Sequence, residues 1–378
     1  MTRTLEILER LVAFPSLSAA SNLALIDYVS DLLANAGFTL NRIPSACGEK
    51  AGLFAQIGSG DNGICLSAHT DVVPVEGQDW SVPPFALTMQ GDRLLGRGTT
   101  DMKGFLASAL AAAEQVGTRH MSHPLSLSIS YDEEIGCVGL QHMLPTLAPL
   151  IGRPRAVIVG EPTSMQIAIG HKGKCAFDVT CYGQAGHSAL APNFVNAIHV
   201  AAGFIAEIQA LQANLANGPR DKAYGIPYST LHIGRIDGGR ALNIVPDKAT
   251  LALEVRHLAE HKSAEILEHI NAAAAKARLP FGAQASITIT EQNTYPPLRT
   301  NPDAPVVAWA GEILPDAKTT KVDFGTEAGF FSNLGHPTLV IGPGDMAQDG
   351  HKPNEGLALS QLQDCDAMLE RVIDDLIS

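Results

Sequence analysis

The sequence has no pair of cysteines in a CxxC arrangement. Its six cysteines are scattered along the chain: Cys47, Cys65, Cys137, Cys175, Cys181 and Cys365. Because thiolate zinc sites and disulfide-stapled folds rely on recurring cysteine spacings, the sequence indicates neither of them. We expect these cysteines to be reduced and buried, where they behave as small apolar side chains.

Positive charge is also scarce. The chain has 26 Lys+Arg against 39 Asp+Glu, a formal net charge of -13. Since this charge repels phosphates, we expect no nucleic-acid partner and no membrane partner. Residues 1–10 place apolar side chains at helical spacing between charged ones, which is typical neither of a signal peptide nor of a membrane span. The expected location is the cytoplasm.

The length of 378 residues, with 46% hydrophobic residues, favours two domains. Over residues 1–173, helical patterns alternate with short apolar runs, which predicts an α/β fold with a mixed, largely parallel sheet flanked by helices. Over residues 174–294 the order becomes β-α-β-β-α-β, typical of a compact ferredoxin-like α+β domain. The α/β alternation then resumes over residues 295–378. We therefore predict a discontinuous domain interrupted by an inserted one.

Several apolar runs end in side chains that can bind metal ions. His69 closes one such run and is followed two residues later by Asp71. Other candidates lie in loops after apolar runs or in glycine-rich segments: Asp101, Glu133, Glu134, Glu161 and His351. Because ligand sites of α/β sheets gather at the carboxyl ends of the strands, we expect these side chains to converge.

The donor types indicate a chemistry. Carboxylates and two histidines without a thiolate are typical of a hydrolytic zinc site with open positions, and five ligands with one bridging carboxylate suit a pair of ions. Two such ions would polarise an acyl oxygen and generate hydroxide near neutral pH. If Glu134 binds metal, the adjacent Glu133 can act as general base toward the attacking water and then pass the proton to the leaving amine.

Taken one at a time, these residues have simpler explanations. Asp101 suits a glycine-rich turn, and His351 suits the protein surface. Glu133 and Glu134 suit a solvated face, and Glu161 suits a helix N-terminus. The agreement of five separate segments favours a common site over five coincidences.

The motifs, read in chain order, resemble those of a known family. They are His-Thr-Asp-Val-Val-Pro, Gly-Arg-Gly-Thr-Thr-Asp-Met-Lys-Gly, Asp-Glu-Glu-Ile-Gly, Gly-Glu-Pro-Thr, Gly-Gln-Ala-Gly-His-Ser and Gly-His-Lys-Pro-Asn-Glu. Together they resemble the di-zinc amidohydrolases and metallopeptidases that include glutamate carboxypeptidase, succinyl-diaminopimelate desuccinylase, aminoacylase and acetylornithine deacetylase. The resemblance covers nearly the whole chain.

The resemblance implies two zinc ions, for which cobalt can substitute. One ion would be held by His69, Asp101 and Glu161. The other would be held by Asp101, Glu134 and His351, so that Asp101 bridges the pair.

The resemblance also implies roles outside the ligand set. Glu133 becomes the general base, and Asp71 becomes the carboxylate that orients His69. The inserted domain becomes a lid that forms a homodimer, and His187 reaches the partner's active site to stabilise the oxyanion. Without the resemblance, His187 is simply a loop histidine beside a glycine turn.

Three further residues are candidates for binding substrate. Asn243 and Arg256 lie on predicted strands of the lid and would bind a substrate carboxylate or the acyl oxygen, although Arg256 also suits a partly exposed strand position. The third, Glu327, belongs to the segment Asp-Phe-Gly-Thr-Glu-Ala-Gly-Phe-Phe, which resembles acetylornithine deacetylases. Desuccinylases and carboxypeptidases usually have a Gly-Thr-Ser-Asp-type segment ending near an arginine. A glutamate there favours a substrate with a free ammonium tail, and ornithine has one.

The expected reaction is therefore hydrolysis of a small-molecule N-acyl amino acid. The resemblance favours N2-acetyl-L-ornithine, which gives L-ornithine and acetate in arginine biosynthesis. Acetylcitrulline, succinyl-diaminopimelate and dipeptides are alternative substrates. An inactive relative that serves as a binding or scaffold protein is disfavoured, because all five ligand positions and Glu133 are present.

Two other motifs have simpler interpretations. Gly58-Ser-Gly-Asp-Asn-Gly63 matches the GxGxxG pattern of dinucleotide-binding folds, but strand-like residues follow it, so we predict a hairpin turn. The segment from His257 to His261 matches HxxEH, a metalloprotease pattern that requires a helix. Here it follows a predicted strand, so we do not expect a metal site.

Overall fold

The computed structural model describes residues 2–117 and 119–377. The chain forms two compact units. The first unit consists of Met1–Gly170, Leu298–Val322 and Thr326–Ser378, and the second unit consists of His171–Pro297 and Asp323–Gly325.

Helices and strands are interspersed along the described chain. The helices are α1 (Arg3–Val12), α2 (Leu23–Asn35), α3 (Gly104–Val116), α4 (Val138–Leu150), α5 (Ala197–Ala216), α6 (Ser263–Arg278), α7 (Pro305–Ile313), α8 (Ala328–Asn333), α9 (Met346–Asp349) and α10 (Leu359–Ile377). The strands are β1 (Thr39–Pro44), β2 (Ala51–Ile57), β3 (Ile64–His69), β4 (Thr88–Gln90), β5 (Arg93–Leu95), β6 (Leu125–Ser130), β7 (Ala156–Val159), β8 (Ile167–His171), β9 (Gly173–Tyr182), β10 (Gly186–His187), β11 (Thr230–Gly238), β12 (Ile244–Val245), β13 (Lys248–His257), β14 (Ser286–Tyr295), β15 (Leu298–Arg299), β16 (Thr319–Val322), β17 (Thr338–Val340) and β18 (Gly356–Ala358).

The first unit is built on a mixed sheet in the order β1-β2-β6-β3-β7-β17-β8-β15, with β16 paired to β8. Its centre is parallel, because β3 runs parallel to β6 and β7, and β7 runs parallel to β17. Helices α1 and α10 pack on α3, and residues of these helices share a core with one face of the central strands. The predicted α/β class with a largely parallel sheet flanked by helices is confirmed.

Strand β6 shows why the centre of the sheet is buried on both faces. Its sequence alternates apolar residues with serines, and all six residues are buried. Leu125, Leu127 and Ile129 face the main core, so the serines face the opposite side of the sheet. In the parallel register, His69 at the end of β3 lies opposite Ser130 at the end of β6. The loops after these strands therefore begin at the same edge of the sheet.

The second unit contains a four-stranded antiparallel sheet in the order β11-β13-β9-β14. Along the chain, its main elements β9, α5, β11, β13, α6 and β14 follow the order β-α-β-β-α-β. Strand β13 alternates in burial, so that Leu251, Leu253 and Val255 pack with residues of α5 and α6 in a separate core. A small two-stranded sheet pairs β10 with β12.

Three predictions about local structure need correction or qualification. The Gly58–Gly63 segment is not a hairpin turn, because β6 lies between β2 and β3 in the sheet. Cys47 is exposed rather than buried, whereas the other cysteines are buried and all six are free. The sequence also predicts a strand over residues 320–324, but the observed strand β16 ends at Val322, immediately before the short segment that groups with the second unit.

No helix in residues 2–117 and 119–377 is both long and apolar enough to span a membrane.

Candidate active site

Three loops meet at the carboxyl edge of the parallel strands. His69 is the last residue of β3, Glu133 and Glu134 follow β6, and Glu161 follows β7. Because β3 pairs with both β6 and β7 in parallel, the three strands deliver these side chains to one place. The convergence expected from the sequence is a direct result of this topology.

Two further candidates come from segments outside the central strands. Asp101 lies in the irregular helical turn Thr99–Lys103, entered through Gly98 in the left-handed region at φ 88°. A Cβ atom at Gly98 would come within 2.8 Å of Val72 Cγ1 and 2.9 Å of Lys103 Cδ, so this tight approach requires glycine. His351 follows α9 and also has a positive φ, 61°.

Asp101 stands between the two histidines. His69 Nε2 lies 3.1 Å from Asp101 Oδ1 and 3.8 Å from Glu161 Oε1. His351 Nε2 lies 3.3 Å from Asp101 Oδ2 and 2.9 Å from Glu134 Oε2. Each carboxylate oxygen of Asp101 thus faces a different histidine, and each of these histidines lies near a different glutamate.

These distances suit divalent cations. Two ligand atoms about 2.0–2.1 Å from one tetrahedral zinc ion are about 3.3 Å apart, which is close to the separations around Asp101. Possible ligand atoms of His69, Asp101 and Glu134 all lie within 4.8 Å of one another, as do those of His69, Glu133 and Glu161. The donors are imidazole and carboxylate, with no cysteine in either group. The residues present therefore fit a metal centre of the hydrolytic type.

The pKa shifts of the clustered carboxylates also favour a bound cation. Burial and the nearby Asp101 together raise the pKa of Glu134 to about 7, although its hydrogen bond with His351 acts in the opposite direction. Burial also raises the pKa of Glu161, and Asp101 and Glu133 add to that shift. Burial opposes ionisation of Asp101 as well, but hydrogen bonds from His351 and His69 lower its pKa overall. A cation placed among these carboxylates would relieve their mutual repulsion.

Asp71 was predicted to orient His69 through its carboxylate, but its backbone oxygen is closer to the ring. His69 Nδ1 lies 2.9 Å from the backbone oxygen of Asp71 and 3.5 Å from its carboxylate. The carboxylate accepts the backbone N–H groups of Glu133 and Glu134 at 2.9 and 3.2 Å and the hydroxyl of Ser18 at 2.8 Å. Asp71 thus holds the loop of the paired glutamates as well as the ring of His69.

Glu327 lies in the first unit, immediately before α8. Its side chain is buried, and Ser67 donates a long hydrogen bond of 3.4 Å to its Oε2. Its Oε1 has no hydrogen-bond partner among the described residues. Burial raises the pKa of Glu327 to about 7. A buried, half-satisfied carboxylate is suited to receive a cationic or donor group.

The other predicted residues lie in the second unit. His187 and Asn243 are neighbours there, because His187 pairs with Ile244 and the backbone oxygen of Asn243 accepts the N–H of Ser188 at 3.0 Å. Asn243 lies in the turn before β12 and not on a strand as predicted, whereas Arg256 lies on β13 as a strand residue. Its Nε donates to Glu254 at 2.8 Å and its Nη1 to the hydroxyl of Tyr295 at 2.5 Å, so existing contacts already occupy much of its guanidinium.

Sequence reasoning missed several residues that support the first-unit site. Lys50 Nζ lies 2.5 Å from Oδ2 of Asp132, and the thiol of Cys137 donates to Glu133. Asp132 is the first residue of the Asp-Glu-Glu-Ile-Gly motif and Cys137 follows its last residue, so both could have been tested as supporting residues. Lys50 carries no local signal, because its partner is 82 residues away.

The chain is similar to known proteins in both sequence and structure. A sequence model of the peptidase family M20/M25/M40 matches residues 65–375. An M20 family metallo-carboxypeptidase, Sso-CP2 from Sulfolobus solfataricus, is similar in structure, with a TM-score of 0.81, 20% identity, and coverage of 100% of this chain and 99% of that chain. A Staphylococcus aureus tripeptidase gives a TM-score of 0.78 at 19% identity, covering 99% of this chain and 98% of that chain.

A third similar structure is YXEP from Bacillus subtilis, described as a dinuclear metal-binding peptidase of the M20 family. Its TM-score is 0.69 at 17% identity, with coverage of 99% of this chain and 98% of that chain. At these identities the three structures establish a common fold. The family match spans most of the chain.

Proposed function

The chain belongs to the M20/M25/M40 peptidase family, and we propose that within this family it hydrolyses N2-acetyl-L-ornithine to L-ornithine and acetate. Family membership and the clustered donors identify a metal-dependent hydrolase. The substrate and the metal, two zinc ions with cobalt as a working substitute, are our proposal.

One observation carries the proposed metal centre. The two carboxylate oxygens of Asp101 face His69 and His351 separately, at 3.1 and 3.3 Å. If two ions were bound, His69, Asp101 and Glu161 would hold one of them, and Asp101, Glu134 and His351 would hold the other. The dinuclear description of the Bacillus subtilis relative supports a pair of ions.

We propose that Glu133 moves the proton. Divalent ions held by these ligands would supply Lewis acidity toward the acetyl oxygen and lower the pKa of a water molecule. Glu133 then accepts a proton from that water as its oxygen bonds to the acetyl carbon. It returns the proton to the amine nitrogen as the C–N bond breaks, which releases acetate and ornithine. Burial raises the pKa of Glu133, which makes its carboxylate a stronger proton acceptor.

We propose that His187 stabilises the oxyanion, and its hydrogen bonding supports this role. Its Nδ1 accepts the N–H of Ala189 at 3.1 Å. In the neutral ring the proton must then be on Nε2, which becomes a donor. We propose that this N–H stabilises the negative charge that develops on the acetyl oxygen. Asn243, whose backbone is beside that of His187, would bind the same part of the substrate.

We propose that Glu327 selects the ammonium tail of ornithine. Its Oε1 has no partner in the described residues, and a buried carboxylate gains most from a cationic group. Arg256 would bind the substrate carboxylate only by exchanging contacts, since Glu254 and Tyr295 hold it. Arg256 is therefore the weaker element of the proposal.

A homodimer formed through the second unit is also part of the proposal. Large apolar side chains are exposed in that unit: Leu190, Ile198, Ile236, Leu242 and Ile244. Leu242 is 100% exposed, and β11 is an edge strand of its sheet. A second copy would cover these groups, because exposed apolar side chains and open strand edges favour association. Sedimentation velocity of the wild-type protein and of Leu242→Asp tests this surface.

Hydrolysis of short peptides is the second candidate function. It is favoured by the names of the similar structures, a tripeptidase and a carboxypeptidase. An inactive scaffold remains disfavoured, because all five ligand-type side chains and Glu133 are present.

A substrate panel distinguishes these functions. The zinc-loaded protein is assayed with acetylornithine, acetylcitrulline, succinyl-diaminopimelate and a dipeptide. We expect the highest kcat/KM with acetylornithine, and we expect Glu327→Gln to reduce its advantage over acetylcitrulline, whose side chain is neutral. A dipeptide that is cleaved faster than every acyl amino acid would favour the peptidase function. Wild-type protein that takes up no metal would contradict the metal centre itself.

A further inference from the structure

Glu355 connects two segments of the candidate site. It is buried, at 1% exposure, and follows His351 by four residues in the same loop. Its side chain does not point toward the ligand atoms. It contacts the backbone of the segment that carries Asp101, although the two segments are about 250 residues apart in the chain.

Each carboxylate oxygen of Glu355 accepts two hydrogen bonds. Oε1 accepts the N–H groups of Thr100 and Asp101 at 2.9 and 3.0 Å. Oε2 accepts the N–H of Gly98 at 3.1 Å and Nη1 of Arg97 at 2.7 Å. One carboxylate thus satisfies three nearby backbone donors and a guanidinium.

Only an ionised carboxylate fits this set of donors. Arg97 is also 1% exposed, so its charge requires a partner. A glutamine in place of Glu355 would turn an NH2 group toward two donors in either orientation of its amide. An aspartate would keep the charge but would fall short by one methylene group.

Arg97 is itself held in place. Its Nη2 donates to Gln78 Oε1 at 2.5 Å, and its guanidinium lies over the ring of Trp80, 5.1 Å from the centroid. Its Nη1 also contacts the backbone oxygen of Lys352, the residue after His351. The buried Arg97–Glu355 pair therefore links the Asp101 segment to the His351 segment.

We infer that Glu355 is a positioning residue that fixes the backbone of Asp101, and through it the direction of both Asp101 oxygens toward the two histidine ligands. The inference rests on the metal centre proposed above. In metal sites, groups that orient a ligand typically change metal affinity about 10–100-fold when they are removed. Because Asp101 faces both histidines, the effect should extend to both ions.

Metal titration of the full-length protein tests this role. The protein is stripped with a chelator, and Zn²⁺ binding is measured by competition with a coloured indicator for wild type and Glu355→Gln. We expect the affinity of Glu355→Gln to fall about 10–100-fold. The visible absorption spectrum of the Co²⁺-loaded variant should also differ from that of wild type, since the bridging geometry changes.

The matched control is Asp349→Asn. Asp349 is nine-tenths buried, lies two residues before His351, and accepts Nη2 of Arg93 at 2.5 Å, but it does not contact the amides of the Asp101 segment. We expect its Zn²⁺ affinity to stay within about twofold of wild type while its melting temperature falls. A purely structural role for Glu355 would lower the melting temperatures of both metal-free variants and leave both affinities alone.

The inference would be overturned if Glu355→Gln bound Zn²⁺ with wild-type affinity. It would also be overturned if Asp349→Asn lost as much Zn²⁺ affinity as Glu355→Gln. If Glu355→Gln does not fold, Glu355→Asp takes its place. We expect Glu355→Asp to bind Zn²⁺ more weakly than wild type, and a wild-type affinity would contradict the positioning role. Absence of metal uptake by the wild-type protein would instead contradict the proposed function, so the two failures are distinguishable.

Discussion

The thiol of Cys137 lies 3.2 Å from Oε1 of Glu133. Burial raises the pKa of Cys137, so its sulfur keeps its hydrogen and donates it to the carboxylate. The backbone N–H of Cys137 also donates to the backbone oxygen of Glu133 at 2.7 Å. Cys137 therefore holds the proposed general base through both its side chain and its backbone.

Replacement of Cys137 should separate the side-chain contact from the backbone contact. Cys137→Ala loses the donor, and a net hydrogen bond of about 0.5–1.5 kcal/mol predicts a fall in kcat of roughly 2–10-fold. Cys137→Ser keeps a donor at the same position and should stay close to wild type. The measurement is kcat and KM with the best substrate of the panel. A wild-type kcat for the alanine variant would show that the thiol contact has no role.

Glu133→Ala should separate metal binding from turnover. Glu133 is the proposed proton carrier, whereas His69, Asp101, Glu134, Glu161 and His351 are the proposed ligands. We expect the variant to bind wild-type amounts of zinc and to lose about 10²–10⁴-fold in kcat. Metal content measured by elemental analysis and turnover measured on the same sample provide the check. Near wild-type turnover would remove Glu133 from the mechanism.

The candidate ligands could be predicted because their signals are local. An apolar run that ends in His69 or precedes Glu161 marks a strand end, and parallel strands bring such ends to one edge. Strand order is not local information. Nothing in the Gly58–Gly63 segment indicates that β6 lies between the strands on either side, so the hairpin prediction was wrong.

Residues that support the site were harder to predict for a similar reason. Lys50 resembles a surface lysine until its partner Asp132 is known, and that contact spans 82 residues. The pairing of Arg256 with Glu254 was within reach of the sequence, because residues two apart on a strand share a face. Its contact with Tyr295 depends on the three-dimensional fold.

The Lys50–Asp132 ion pair should be important for stability. Both side chains are largely buried, and the N–H of Ala19 also donates to Asp132 at 2.9 Å. Lys50→Met leaves the Asp132 charge buried without its partner, so the free energy of unfolding should fall by about 3–5 kcal/mol. Denaturant titration provides the measurement.

The exposed pair Arg42–Asp27 provides the matched control. Its side chains are 42% and 61% exposed, so Arg42→Met should change the free energy of unfolding by less than about 1 kcal/mol. In addition, Asp132→Asn combined with Lys50→Met should recover part of the loss, since it removes the uncompensated charge. Similar effects of Lys50→Met and Arg42→Met would contradict a buried, stabilising pair.

His171 in the second unit should make stability depend on pH. Its Nδ1 lies 2.9 Å from the backbone oxygen of Lys172, its Nε2 has no hydrogen-bond partner among the described residues, and burial lowers its pKa to about 4. An unfolded histidine has a pKa of about 6.5. Between these two values the unfolded chain binds a proton that the folded chain does not. Stability is therefore full above about pH 6.5 and falls by roughly 3 kcal/mol as the pH drops to 4.

His171→Phe removes this proton and keeps an aromatic ring near Tyr295, whose centroid lies 6.4 Å from that of the imidazole. Between pH 6.5 and 4, the free energy of unfolding should decrease in both proteins. We expect the decrease to be roughly 3 kcal/mol smaller in the variant than in wild type, because one linked proton is absent. Urea titrations at several pH values measure the difference, and His232→Gln, at an exposed position of the same unit, is the control. Parallel pH curves for wild type and His171→Phe would show that His171 is protonated equally in the folded and unfolded states.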